Sequence, residues 1–134
     1  MKFFSKAWKS SKQPRKQHKY RYHAPLHLRQ KLAGAHLAEN LIKEYKRRSI
    51  GARKGDEVVI MRGEFRGKSG KITDVDLKKL RIFVDVAKRK KVSGQEVQVP
   101  IDPSNVKITK LNLDDKQKKE ILERKLKTVN IQKI

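Results

Sequence analysis

The stretch Lys54-Gly55-Asp56-Glu57-Val58-Val59-Ile60-Met61-Arg62-Gly63-Glu64-Phe65-Arg66-Gly67-Lys68-Ser69-Gly70-Lys71-Ile72 constrains this chain more than any other. Val58 and Ile60 alternate with Val59 and Met61, the period of 2 that sends successive side chains to opposite faces of a strand. A loop follows, and a second strand opens on Lys-Ser-Gly-Lys. Gly63, Gly67 and Gly70 permit positive φ or a close backbone approach. Arg62, Arg66, Lys68 and Lys71 surround them. The pattern describes a β-hairpin whose loop can lay a bare, positively charged backbone against a polyanion.

The period of 2 continues beyond this hairpin. Ile72 and Val75 mark a second strand. Leu80, Ile82, Val84 and Val86 alternate with Arg81, Phe83 and Asp85 in a third. Val97, Val99 and Ile101 mark a fourth, and Val106 and Ile108 a fifth. Turn chemistry separates them at Gly63–Gly67, Asp76–Lys79, Ser93-Gly94 and Pro103-Ser104-Asn105. Five short strands so close together predict a mainly β fold, a small SH3-like barrel whose closure removes exposed edges.

The rest of the chain has other habits. Residues 1–24 form a basic arm in which Lys2, Lys6, Lys9, Lys12, Arg15, Lys16, Lys19 and Arg21 interleave with Phe3, Phe4, Trp8, Tyr20 and Tyr22. Neither period holds there, so the arm is expected to be extended. Its rings can stack on unpaired bases while its cations neutralise phosphates. Residues 25–48 read as a helical segment. Pro25 suits a first turn, Leu28 and Leu32 share a face, and Gly34 ends or interrupts that helix. A second helix is expected from about Ala35 to Arg47, with Leu37, Leu41 and Tyr45 on one face. The barrel then occupies 49–111. Residues 112–134 form a charged helical tail, where Asp114-Asp115 can cap a helix and Ile121, Leu122, Leu126 and Val129 give a thin apolar stripe. Such a stripe is expected to dock weakly.

Charge narrows the partner. Lys and Arg number 36 against 14 Asp and Glu, a net of +22. Residues 1–53 carry +13 of it, 54–110 carry +6 and 111–134 carry +3. Nucleic acid is the expected polyanion, and an anionic membrane surface is the alternative. The longest aliphatic run, Val58 to Met61, is far too short to span a bilayer, so no membrane insertion is expected. The absence of cysteine excludes disulfides and thiolate metal sites. These features describe a soluble, intracellular protein.

The stretch Lys54 to Asp76 resembles the KOW motif of ribosomal and transcription-elongation proteins. Arg48-Ser49-Ile50 precedes it, and His23-Ala24-Pro25-Leu26-His27 lies upstream. Pro103-Ser104-Asn105-Val106-Lys107-Ile108 and Lys119-Glu120-Ile121-Leu122-Glu123-Arg124-Lys125 follow. In that order these segments resemble one family, the large-subunit ribosomal proteins numbered twenty-four in the universal scheme and twenty-six in the eukaryotic set, in their archaeal and eukaryotic form. The likeness runs from Lys2 to about Lys127. Gly51 stands where the family often has proline, Asp102 where it often has histidine, and Asp85-Val86-Ala87 replaces a Val-Glu-Gly-like stretch. The resemblance implies a cytoplasmic structural protein of the large subunit that binds large-subunit rRNA early in assembly. It implies a position near the polypeptide exit tunnel, beside neighbouring large-subunit proteins.

Phosphate contacts are expected at Arg62, Gly63, Arg66, Gly67, Lys68 and Lys71 of the hairpin and at Arg53 just before it. The run Lys88-Arg89-Lys90-Lys91, on an expected strand connection, reads as a phosphate clamp, with a solvated loop or a nuclear-localisation signal as alternatives. Lys12, Arg15, Lys16, Lys19 and Arg21 are expected to displace counterions along the arm. His18, His23, His27 and His36 share their half of the chain with just two carboxylates, Glu39 and Glu44, which speaks against a metal site. Asp56, Glu57, Asp74, Asp76 and Asp85 sit at strand ends among cations, and Ser49, Ser69 and Ser93 have no nucleophile signature around them, so neither catalysis, a cofactor nor a small-molecule substrate is expected. The remaining alternatives are a transcription or translation factor carrying a KOW module and a non-specific nucleic-acid binder.

Overall fold

The computed structural model describes residues 4, 5, 7, 8 and 10–131, with side chains throughout that set except at 125 and 127–131. Lys2, Phe3, Lys6 and Lys9 of the arm, and the Val129 side chain, lie outside the described residues.

Two helices lead, α1 (Pro14–His23) and α2 (Leu26–Leu32). Strand β1 (Gly34–Leu37), helix α3 (Glu39–Tyr45) and strand β2 (Ser49–Gly51) follow. Next come β3 (Glu57–Ile60), β4 (Ser69–Asp76), β5 (Arg81–Val84), β6 (Lys88–Lys90) and β7 (Glu96–Gln98). A single 3-10 turn at Pro103–Asn105 feeds β8 (Val106–Lys110), and α4 (Lys116–Ile131) ends the described chain. Six strands make one sheet in the order β2-β1-β8-β3-β4-β5, and β6 pairs with β7 alone.

The fold is mainly β and barrel-like. Ile82 of β5 bridges to Ile101, which lies one short turn before β8, so the sheet curls back toward its own middle. A register shift between Ile72 and Asp74 bends β4 along the way. Val58 and Ile60, Ile82 and Val84, and Val106 and Ile108 are all at most 1% exposed. The alternation read in the sequence therefore puts one face of each strand into a shared core. Burying each such side chain contributes roughly 1.5–3 kcal/mol.

Several expectations change. Within the arm, residues 14–23 are helical where extended backbone is expected. Pro14 sits in the first turn, where its missing N–H costs nothing. Tyr20 is braced by the Trp8 ring at 4.3 Å between centroids and the Phe4 ring at 5.2 Å. No residue of α1 is buried, so the helix owes little to the core.

The expected helix over Ala35–Arg47 is split. Ala35 and Leu37 are fully buried in β1, which pairs in parallel with β8 through His36–Lys107 and Leu37–Ile108. The Ala38 amide donates to the Ile108 carbonyl at 2.8 Å, and only then does α3 begin. The β8 ladder outweighs the helical period because it satisfies the backbone and buries both side chains at once.

Two strand assignments also shift. Leu80 takes a left-handed φ of 54° and ends the β4–β5 turn, leaving Arg81–Val84 as the strand. Lys88, Arg89 and Lys90 of the cationic run expected as a connection form strand β6, with Lys88–Gln98, Arg89–Val97 and Lys90–Glu96 as register pairs, and Lys91 alone lies in the connection to β7. The tail docks firmly, because Leu122 and Lys118 are 3% and 2% exposed.

Candidate nucleic-acid interface

The β3–β4 loop is closed by its own backbone. The Ile60 amide donates to Lys68 O at 3.0 Å, and the Gly67 amide returns to Ile60 O at 2.8 Å. Inside it, the Arg66 amide reaches Gly63 O and the Lys68 amide reaches Phe65 O, both at 3.1 Å. Gly63 and Gly67 adopt φ of 91° and 82°, a region L side chains rarely enter. A Cβ at either would meet nothing within 4 Å, so the demand is torsional and the face beyond is open. Phe65 turns inward and is 9% exposed, while Arg62, Arg66 and Lys68 face solvent. The Lys68 ammonium lies 5.3 Å from the Phe65 ring centroid. The loop is thus a plugged scaffold with cations on its rim.

A second basic element stands beside it. Glu64 of the loop pairs with Arg89 of β6 at 2.5 Å. This contact brings the loop that carries Arg62, Arg66 and Lys68 to Arg89 of the cationic run Lys88–Lys91. The β6–β7 ribbon has no buried residue and is rooted by the Val99 amide donating to the carbonyl of buried Ala87 at 2.8 Å. Lys88 meets Glu96 at 3.7 Å across the ribbon. Exposed pairs like these contribute little stability, about 0–1 kcal/mol, so they mark which elements are neighbours without clamping them.

The arm cations lie elsewhere. Arg15, Lys16, Lys19 and Arg21 are exposed on α1, with Lys12 just ahead, and the helix carries no acidic residue. Like charges at Arg15 and Lys19, one turn apart, destabilise it in isolation. Its C-terminal end is pinned by Arg29, which donates Nε to Ala24 O at 2.8 Å, Nη1 to Lys78 O at 2.6 Å and Nη2 to Tyr22 O. A cleft lined by Lys19, Arg21, Lys78, Lys79 and Arg81 separates α1 from the β4–β5 turn. Asp102 in this cleft is held below its ordinary carboxyl value. Burial acts to raise it, and the Ser104 hydroxyl and amide, with Arg81 and Arg21, outweigh that. The loop and this turn sit at opposite ends of β4, roughly 23 Å apart at about 3.3 Å per residue.

The remaining residues singled out in the sequence divide. Lys71 is exposed on β4, opposite Glu57, whose carboxylate pairs with Lys110 at 3.2 Å. Arg53 is taken up by Asp115 at 3.1 Å and helps seat α4. Trp8 and Tyr20, expected to stack on bases, stack on each other, whereas Tyr22 is 76% exposed and meets His23 edge-on. Arg29, Lys78, Lys79 and Arg81 carry no binding signature in the sequence, although the Lys78-Lys79 pair lies inside the Asp76–Lys79 turn. Among the described residues no group of His, Asp and Glu could hold a metal ion, and no helix is long and apolar enough to cross a membrane.

Residues 11–125 match a family described as the eukaryotic ribosomal proteins L26 and their archaeal counterparts, numbered twenty-four. The chain is 48% identical over 116 residues to the large ribosomal subunit protein uL24 of Methanosphaera stadtmanae, covering 87% of this chain and 99% of that one. It is 50% identical over 114 residues to the uL24 of Methanothrix thermoacetophila, with 85% and 98% covered. The uL24 of Korarchaeum cryptofilum is 50% identical over 115 residues, with 86% and 88% covered. With most of its length matched, the chain belongs to this family of eukaryotic and archaeal large-subunit ribosomal proteins, the uL24 family.

Proposed function

We propose that this protein is a structural constituent of the large ribosomal subunit in the cytoplasm that binds large-subunit rRNA directly. The observation that supports the reading is the Glu64–Arg89 contact, which places the glycine loop beside the cationic β6–β7 ribbon. Arg62, Arg66 and Lys68 on that loop, with Lys88, Lys90 and Lys91 of the cationic run, meet phosphates, and the bare backbone at Gly63 and Gly67 lets the sugar-phosphate chain come close. At the far end of β4, α1 and the β4–β5 turn grip a second stretch of backbone. Two grips on separate strands fix one rRNA segment against another, the task of a protein that acts early in assembly. A neighbouring large-subunit protein or rRNA helix covers the outer face of α4, and the site near the exit tunnel follows the family resemblance.

The test is binding of the full chain to large-subunit rRNA fragments as salt is varied. A log–log slope on the order of −5 or steeper is expected, because several counterions leave together. Photo-crosslinking in assembled subunits should join rRNA to 62–68 and 88–91. A slope near zero, or equal affinity for any duplex DNA, would overturn the reading in favour of a factor or a non-specific binder.

A further inference from the structure

A groove of about 900 Å³ runs between α2, β2 and α4, away from the loop and the ribbon. Its floor is aliphatic, with Ile50 and Ala52 at 4% and 5% exposure and Val75 and Ile121 beside them. Arg47 reaches across it, donating Nε to Ser49 O at 2.8 Å and Nη1 to Ile121 O at 3.5 Å. Lys31 and Lys54 stand exposed on the rim, and among the described residues neither has a carboxylate within ion-pair distance. Asp74 is the one carboxylate lining the groove among the described residues.

We propose that this groove holds a single extruded guanosine nucleotide of rRNA. The inference rests on the rRNA-binding reading and adds a base-selective site to it. The volume lies within the range of sites that enclose a molecule of this size, about 300–1,000 Å³. An aliphatic floor takes the flat face of a heterocycle, and the Lys31 and Lys54 ammonium groups take its phosphate. Asp74 fixes the orientation. A carboxylate repels phosphate, so it must meet the base, and it can only accept hydrogen bonds. Guanine presents N1–H and the 2-amino group side by side, matching two carboxylate oxygens. Uracil flanks its single N–H with two carbonyl acceptors and fits poorly.

The experiment uses the ¹⁵N-labelled full chain at low salt, titrated with guanosine monophosphate, inosine monophosphate and inorganic phosphate. The two nucleotides differ only by the 2-amino group. Guanosine monophosphate should move the amide resonances of Gly51, Ala52 and Val75 and bind at least threefold tighter than inosine monophosphate. Asp74→Asn, exposed on β4, should keep the spectrum of a folded protein and erase the difference. Equal binding of the two nucleotides, shifts that phosphate alone reproduces, or shifts confined to 62–68 and 88–91 would each overturn the proposal. In all three cases binding of rRNA itself would still stand, whereas loss of rRNA binding would show up in the salt titration.

Discussion

Lys118 Nζ lies 2.5 Å from Asp56 Oδ1, with the two side chains 2% and 0% exposed. The same carboxylate accepts the Arg53 amide at 2.9 Å and the Asn112 amide at 2.8 Å. One buried group therefore gathers the entry to β3, the chain after β8 and the first turns of α4. Burying a charge pair is favourable only when its remaining hydrogen bonds are also met, as they are here. Lys118→Met leaves the carboxylate buried without its cation and should cost about 3–5 kcal/mol. Chemical denaturation of the variant against the parent measures this. The double change Asp56→Asn with Lys118→Met should cost less than the sum of the two single changes, since no charge is then stranded.

Gly55 stands beside that pair at φ 88°, and a Cβ there would come within 2.7 Å of Asn112 Nδ2. Gly63 has the same torsional demand with open space around it. Gly63→Ala should therefore lose only the left-handed penalty, about 1–2 kcal/mol. Gly55→Ala should lose more, because Asn112 must also move. Urea midpoints of the two variants give the ordering, and equal losses would show that the Asn112 contact yields freely.

What the sequence made legible follows its local patterns. Val58, Ile60, Ile82, Val84, Val106 and Ile108 were readable as core because each strand writes its own period of 2. The loop glycines were readable because only glycine suits a positive φ so cheaply. Ala35–Leu37 was not readable, since its strand exists only by pairing with Lys107 and Ile108, far along the chain. Lys118 is one of many charges in the tail, and nothing local marks Asp56 as its partner. The cationic surface was half legible. Its residues were visible, but the Glu64–Arg89 contact that assembles them, and the distance that keeps α1 apart from them, are products of the fold. A single substitution checks the strand periodicity directly. Ile82 is fully buried and bridges Ile101, so Ile82→Asp should unfold the barrel, seen as loss of cooperative melting.

Asp102 makes stability depend on acid pH. Its carboxylate accepts from the Ser104 amide at 3.1 Å and hydroxyl at 2.8 Å and pairs with Arg81 at 3.0 Å. The folded value lies below the ordinary 3.8, so the unfolded chain takes up the proton first as pH falls. The contribution is present above about pH 4 and is lost as pH drops through the folded value. Because the side chain is 38% exposed, the effect is small. Asp102→Asn should lower stability at pH 7 and flatten its decline below pH 4. Thermal melts at pH 3 and pH 7 check both, and a parallel decline in parent and variant would assign the acid sensitivity to other carboxylates.

The loop can be separated from the fold that carries it. Arg66 and Lys68 are exposed, no ion pair holds either among the described residues, and their backbone contacts involve N–H and C=O groups that substitution leaves in place. Arg66→Glu with Lys68→Glu should leave the circular dichroism spectrum and the melting temperature close to those of the parent. Each cation that meets a phosphate accounts for close to one unit of the salt slope, so the double variant should bind rRNA with a slope shallower by about 2. Affinity at low salt should fall by at least tenfold, since each new carboxylate also repels the backbone it faces. The Arg15→Glu and Lys19→Glu pair on α1, at the other end of β4, should weaken binding without altering crosslinks at 62–68. If the loop variant bound as tightly as the parent while the α1 variant did not, the principal contact would lie at the helix and the β4–β5 turn.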